Sequence, residues 1–216
     1  QAIAASIDGH PVGSWGVAAG FSLHPLKNLN VWGDGGIIVT ESSEVAEKLR
    51  LYRNHGLVNR DEVAIFGANS RLDTLQAVIG NRLIGQTEFI TNQRIENAQR
   101  YDNAFADLDG ISIPRRRTDV KHVYHLYIIR TRQRGALLSY LHEHGVEAKI
   151  HYPIPMHLQE AAKHLGYKEG DFPMAEEDSR TMITLPAHQH LTDEEIEYTI
   201  ETVRSFYLNN RSENGQ

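Results

Sequence analysis

The stretch GFSLHPLKNLNVWGDGG, residues Gly20–Gly36, places one lysine, Lys27, between a proline and a glycine-rich turn. The apolar residues on either side, within 17–23 and 37–39, predict two short buried strands that are bounded by glycine. Pro25 fixes its own φ and disfavours a helical residue before it, so the first strand should end just before the lysine. Lys27 is therefore predicted to lie in a loop between strands, as either an ordinary solvated charge or a reactive group.

Length, composition and charge restrict the class of protein. The chain has 216 residues, of which 40% are hydrophobic, enough for one large domain or two small ones with a packed core. A formal net charge of -6, with both signs interspersed, argues against nucleic-acid binding. No apolar run approaches the roughly 20 residues of a membrane span, and no signal peptide opens the chain, so we expect no membrane association.

Residue types that carry redox or metal chemistry are absent or unsuitably spaced. The chain has no cysteine, which excludes disulfides and thiolate catalysis and agrees with a reducing compartment; we expect a cytoplasmic protein. Its 12 histidines include the pairs His142/His144 and His188/His190, which lack the spacing of a catalytic metal site. We therefore expect no bound metal.

Hydrophobic periodicity predicts two domains, 1–92 and 93–208. The predicted elements include helices over 43–54, from Asp73 onward and over 91–108, and strands over 124–130 and 147–151. The last helix should begin with a capping box formed by Thr192 and Glu195. The polar residues 209–216 are expected to form a disordered tail.

Four segments, taken in order, resemble one enzyme family. They are FSLHPLKNLNVWGDGGIIVT (21–40), LRLYRNHGL (49–57), NSRLDTLQAVIG (69–80) and HYPIPMHLQEAAKHLGYKEGDFPMAE (151–176). From Gln1 to about Leu208 the chain resembles the C-terminal portion of the pyridoxal-phosphate-dependent sugar aminotransferases of the DegT/DnrJ/EryC1/StrS family. The resemblance implies the type I aminotransferase fold, an α/β fold. Here it comprises the C-terminal part of the large mixed-sheet domain (1–92) and a small α+β domain (93–208). It also implies homodimers with active sites at the subunit interface.

The resemblance implies a chemical role for Lys27. In the family, the lysine at this place forms the internal aldimine with the cofactor, pyridoxal 5'-phosphate. A lysine attacks an aldehyde only as the neutral amine. When the amine donor replaces it, the released lysine is a base that can move a proton between the donor's α-carbon and the cofactor.

Three further positions match residues that contact the cofactor in the family. The matches of Ser22 and Asn69 bind the phosphate, Asn69 in the site of the partner subunit, and the match of Gln1 lies beside the pyridine ring. A hydroxyl and an amide suit a phosphate dianion at close range. Two alternatives stay open: backbone contacts that satisfy Ser22 at the strand end, and an ordinary helix-entry role for Asn69.

The aspartate that partners the pyridinium nitrogen in the family would precede Gln1, as would the N-terminal strands and a helix N-terminus that should hold the phosphate. We therefore expect the chain as it stands to be a poor catalyst and a part of a larger protomer. Asp34 is no substitute, because its Gly-Asp-Gly-Gly context favours a turn role.

Four residues are weaker candidates for substrate binding. Tyr152 and His157 belong to the HYPIPMH segment, which approaches the active site in the family, and His24 and Trp32 flank Lys27. Core packing or loop rigidity through Pro153 and Pro155 is the alternative for Tyr152 and His157, and whether Trp32 and His24 line the site stays open.

The resemblance implies transfer of an amino group from an amino-acid donor, glutamate, to a keto carbon of a nucleotide-linked sugar. Dehydratases of the same family carry histidine in place of the lysine, so Lys27 favours transamination. An inactive fragment or structural module of such an enzyme is the remaining alternative.

Overall fold

The computed structural model of the protein describes the backbone of residues 1–213 and the side chains of residues 1–209. Its internal contacts divide the chain into two units. The first unit is Gln1–Asn92 with Arg117–His125, and the second is Gln93–Arg116 with the chain from Leu126 onward. The predicted domain 93–208 is thus interrupted, because Arg117–His125 contributes a strand to the first unit.

Five short strands occur in the first unit. They are β1 (Ser6–Ile7), β2 (His10–Pro11), β3 (Ala19–Ser22), β4 (Gly36–Val39) and β5 (Val120–Lys121). Strand β1 pairs antiparallel with both β2 and β5, and β3 pairs antiparallel with β4. The strands beside Lys27 are not buried as predicted: within the described residues each pairs only with the other, and Ile38 of β4 is 55% exposed. A two-stranded ribbon cannot cover both of its own faces.

Two helices follow the β3–β4 ribbon, α1 (Ser43–Tyr52) and α2 (Thr74–Ile84), and a third, α3 (Thr87–Phe105), begins in the first unit and ends in the second. Ser42 caps α1, since its Oγ accepts from the N–H of Val45 at 3.3 Å. Neither α1 nor α2 contains a buried residue, and the apolar side chains of Leu75 and Val78 on α2 are exposed.

The second unit is a compact α+β structure. Its remaining elements are β6 (Tyr127–Arg130), α4 (Arg134–Glu143), α5 (Pro173–Thr181), β7 (Met182–Leu185) and α6 (Asp193–Glu213). Strands β6 and β7 pair antiparallel, and the strand predicted over 147–151 is reduced to a single bridge between Lys149 and Thr184. The core contains the fully buried side chains of Tyr101, Tyr127, Ile129, Leu137, Leu141, Ile183 and Ile196.

Helix α6 begins as predicted and ends later than predicted. Glu195 N–H donates to Thr192 Oγ1 at 3.2 Å, and Thr192 N–H donates to Glu195 Oε2 at 2.8 Å, which confirms the capping box. The helix continues to Glu213, into the predicted disordered tail, because a polar segment can still form backbone hydrogen bonds four residues apart. Residues 214–216 of that predicted tail lie outside the described residues. None of the described helices has the length and apolar composition needed to cross a membrane.

Candidate functional site

Lys27 lies in the loop that connects β3 to β4. Its N–H donates to the carbonyl of His24 at 2.9 Å, which closes a turn with Pro25 at the second position. Its carbonyl accepts from Nδ2 of Asn30 at 2.9 Å. Both backbone polar groups of Lys27 therefore form hydrogen bonds within the loop. These bonds fix the backbone that carries its half-buried side chain.

An apolar cluster holds this loop on both sides of the lysine. Leu23 before it, and Leu29 and Val31 after it, are buried together. Ile3, Ile37 and Leu83 pack against them. Gly35 permits the close approach, because a Cβ there would lie 2.9 Å from side-chain carbons of both Val31 and Leu72. Packing of these apolar side chains therefore determines the position of Lys27.

Ser22 and His24 form a short polar chain before the lysine. Ser22 is exposed at the end of β3, and its Oγ accepts from the N–H of His24 at 3.3 Å, so its own hydroxyl proton is left for another acceptor. His24 Nδ1 accepts from the N–H of Leu26 at 3.2 Å, which places the proton of a neutral ring on Nε2. This contact stiffens the turn that contains Lys27.

Gln1 and Trp32 lie on either side of the lysine in sequence. Gln1 is an exposed residue of the first unit. Trp32 N–H donates to Oε1 of Gln76 in α2 at 2.7 Å, while its indole is 77% exposed. Helix α2 therefore fixes the backbone after Lys27 and leaves the Trp32 ring uncovered.

Asn69 belongs to a closed loop, residues 53–70, that follows α1. Its backbone forms an antiparallel bridge with Asn54, and the neighbouring Ser70 N–H donates to the carbonyl of Arg53 at 3.0 Å. The N-cap of α2 is Asp73, four residues after Asn69, so Asn69 does not cap this helix. The side chains of Asn69 and of Phe66, which is 99% exposed, are both uncovered on this loop.

Tyr152 and His157 line a cavity of about 650 Å³ in the second unit. Nε2 of His157 donates to Oε1 of Glu176 at 3.0 Å, and its ring centroid lies 4.8 Å from that of Phe172. Burial raises the pKa of Glu176, but hydrogen bonds from the backbone N–H groups of Gly170 and Phe172 and from His157 outweigh it, so the pKa is lowered. His157 thus has a packing role here, whereas the ring of Tyr152 is exposed on the cavity.

The structure therefore distributes the predicted site residues between the two units. Gln1, Ser22, His24, Lys27, Trp32 and Asn69 lie in the first unit, and Tyr152 and His157 lie in the second. Sequence reasoning missed Asn28, whose side chain is buried, and the only available signal was an amide between Lys27 and an apolar residue. Within the described part of the chain, no three or more His, Asp or Glu side chains are grouped to hold a metal ion.

Comparison with known proteins covers nearly the whole chain. The DegT/DnrJ/EryC1/StrS aminotransferase family matches residues 1–204. A pleiotropic regulatory protein of Geobacillus stearothermophilus is 38% identical over 209 residues, which are 96% of this chain and 56% of that protein. A dTDP-3-amino-3,6-dideoxy-alpha-D-galactopyranose transaminase of Aneurinibacillus thermoaerophilus is 38% identical over 210 residues, 95% of this chain and 56% of that protein.

The fold is shared with a solved structure. The crystal structure of S. venezuelae DesV in complex with a ketimine intermediate matches with a TM-score of 0.91 and 35% identity, over 94% of this chain and 55% of that chain. This likeness confirms the predicted α/β aminotransferase fold, and the chain spans about half the length of the curated relatives it matches. By fold and by sequence, the chain belongs to the DegT/DnrJ/EryC1/StrS aminotransferase family.

Proposed function

We propose that the complete enzyme containing this chain is a pyridoxal-phosphate-dependent aminotransferase. It moves an amino group from an amino acid, glutamate, to a keto carbon of a nucleotide-linked sugar. The observation that carries this proposal is Lys27 in its anchored loop, at the place of the cofactor-binding lysine that the family resemblance implies. The transaminase name of the Aneurinibacillus relative supports a nucleotide-sugar substrate.

The residues around Lys27 fit this cofactor. The lysine supplies a primary amine, and the Ser22 hydroxyl keeps its proton for a phosphate oxygen because Oγ is the acceptor toward His24. We also propose that the side chain of Gln1 lies beside the cofactor ring, as the family resemblance implies. When bound, pyridoxal phosphate supplies an aldehyde that captures the donor nitrogen and a ring that accepts the electron pair released at the α-carbon.

The work of this chain is to bind the cofactor and to move protons. Nζ of Lys27 binds the cofactor aldehyde, and after its release it takes the proton from the donor's α-carbon as a neutral amine. Amino group and keto oxygen are exchanged between donor and acceptor, so the overall reaction needs no external oxidant or reductant.

We further propose a homodimer in which the loop 53–70 enters the partner's site. The support is the exposure of Asn69 together with the almost complete exposure of Phe66 on the same loop. Phe66, Val58 and Val63 are all exposed on this loop, and a group of exposed apolar side chains is suited to burial against another chain. In this arrangement Asn69 contacts the phosphate of the cofactor held by the partner's lysine.

For the sugar substrate we propose contacts from Trp32 and His24 in the first unit and from Tyr152 in the second, with an indirect role for His157. The exposed indole of Trp32 offers an aromatic face to a base or sugar, and Tyr152 offers a ring and a hydroxyl on its cavity. His157 contributes indirectly, by fixing that cavity through Glu176. A cytoplasmic location is part of the proposal, since the absence of cysteine agrees with a reducing compartment.

The test is spectroscopic and uses the complete enzyme loaded with cofactor. We expect the absorbance band of the lysine-bound cofactor to disappear on addition of glutamate and to return on addition of a nucleotide-linked keto sugar, with the aminated sugar detected by mass spectrometry. A band that ignores every amino acid would contradict transamination. The 216-residue chain is assayed in parallel to test the inactive-module alternative. If the complete enzyme is active and the 216-residue chain is not, the shorter chain is an inactive module.

A further inference from the structure

Asn28, the residue directly after Lys27, is a polar side chain that is only 3% exposed. Its Nδ2 donates to the carbonyl of Val123 at 2.9 Å, and its Oδ1 accepts from Nδ1 of His125 at 3.3 Å. Because an amide oxygen only accepts, His125 carries a proton on Nδ1 in this contact. Both ends of the Asn28 amide are thus satisfied by one short segment of chain.

The segment that contains Val123 and His125 is held in place within the first unit. Strand β5, just before it, pairs with β1, with Lys121 opposite Ser6. The N–H of Asp8 donates to the carbonyl of Asp119 at 2.8 Å, and the side chain of Val123 is buried. The partners of Asn28 are therefore held by a strand pairing and by burial, so they can fix a neighbouring loop.

The backbone contacts of Lys27 itself do not have this reach, and the tie from Trp32 N–H to Gln76 in α2 lies five residues farther along the loop. Lys27 is bonded to His24 and Asn30, and both partners belong to the same loop, so these contacts shape it without tying it to another segment. Leu29 and Val31 anchor the loop through apolar packing, which is not directional. Asn28 adds directional hydrogen bonds at the residue next to the lysine. Removing its side chain leaves the buried carbonyl of Val123 unpaired.

We infer that Asn28 is a positioning residue for Lys27, an inference that rests on the proposed function. Its contacts with Val123 and His125 hold the loop so that Nζ of Lys27 meets the cofactor aldehyde at bonding distance. In that step the neutral nitrogen forms a bond to the aldehyde carbon, and the carbonyl oxygen leaves as water with the two amine protons. A misplacement of about 1 Å can slow such a reaction by about 100-fold.

The inference is tested by the rate of covalent attachment in the complete enzyme freed of cofactor. Pyridoxal phosphate is added, samples are reduced with borohydride at intervals, and the modified Lys27 peptide is quantified by mass spectrometry. We expect Asn28→Ala to slow attachment by about tenfold or more. Asn28→Asp should not rescue the rate, because a carboxylate keeps the acceptor for His125 but cannot donate to Val123.

Asn97→Ala is the matched control. Asn97 is also buried, and its Nδ2 also donates to a backbone carbonyl, that of His188, at 3.0 Å, but in the second unit. We expect both alanine variants to lower the melting temperature and only Asn28→Ala to slow attachment. His125→Ala, which keeps the bond to Val123, is the milder variant should Asn28→Ala fail to fold, and it should slow attachment less.

Hydrogen exchange of the backbone amides of residues 24–31 gives a readout in the cofactor-free enzyme. Exchange should be faster in Asn28→Ala than in the wild type, and unchanged in Asn97→Ala. Attachment at the wild-type rate in Asn28→Ala or His125→Ala, or equal slowing in the Asn97 control, overturns the inference while the proposed function stands. A wild-type enzyme whose Lys27 takes up no cofactor instead refutes the proposed function, and this inference with it.

Discussion

Nε2 of His157 lies 3.0 Å from Oε1 of Glu176, and the two side chains are only 8% and 4% exposed. The carboxylate also accepts from the backbone N–H groups of Gly170 and Phe172, so one buried charge ties the cavity segment that contains His157 to helix α5. A buried carboxylate with several donors is stabilised in its ionised form.

This relationship predicts an acid-sensitive contribution to stability. The folded-state pKa of Glu176 lies below its ordinary value of 4.5, so its contribution to the free energy of unfolding is present above that value and is lost as the pH falls through the lower, folded-state value. Melting temperatures of the wild type and Glu176→Gln should therefore differ at neutral pH and converge as the pH falls below 4.5. The control is Glu177→Gln, the exposed neighbour in α5, and a pH-independent difference for Glu176→Gln would contradict the prediction.

Replacement of Lys27 should remove covalent cofactor binding. In the complete enzyme, Lys27→Ala should lose the borohydride-trapped cofactor and reduce turnover by at least about 1,000-fold, because no other amine replaces the nucleophile. Lys27→Arg should also fail, since a guanidinium stays protonated. Lys48→Ala is the control, because Lys48 is an exposed lysine paired with Glu44 on α1. Trapping of cofactor by Lys27→Ala at the wild-type level would refute the assignment.

Asn69→Ala should weaken cofactor retention across the subunit interface. When this variant is mixed with Lys27→Ala and the subunits exchange, each heterodimer contains one site with both substitutions and one with neither. Activity should therefore recover partially, as measured in a turnover assay after exchange has been verified by native mass spectrometry. Unchanged inactivity in verified heterodimers would mean that each site is built from a single chain.

Gly56 is predicted to be indispensable for the loop that contains Asn69. Gly56 has φ +73°, and a Cβ there would lie 1.7 Å from the backbone oxygen of Ile65. Gly56→Ala should therefore open the loop and dissociate the homodimer proposed above, which sedimentation measures. Gly9 has a similar φ of +77° with no heavy atom within 4 Å, so Gly9→Ala should cost only about 1 kcal/mol of strain. Equal effects of the two substitutions would contradict the steric explanation.

Local sequence patterns were sufficient for several elements and for the loop that contains Lys27. Pro25 and the glycines after Lys27 predict a loop between strands, and the structure has that loop, because φ restriction and turn formation depend on adjacent residues only. The Thr192–Glu195 capping box is likewise local and was predicted correctly. The similarity of short segments also indicates the family, which the match over residues 1–204 confirms.

The tertiary structure decided which residues those side chains and loops contact. The chain returns at 117–125 to bring Val123 against Asn28, and it places Glu176 beside His157 and Asn54 beside Asn69. Each pairing depends on strand registration and side-chain packing between segments far apart in sequence, and neither periodicity nor residue spacing encodes such distances. The sequence by itself therefore determined that Lys27 is presented by a loop of an aminotransferase fold, and long-range packing decided what holds that loop in place.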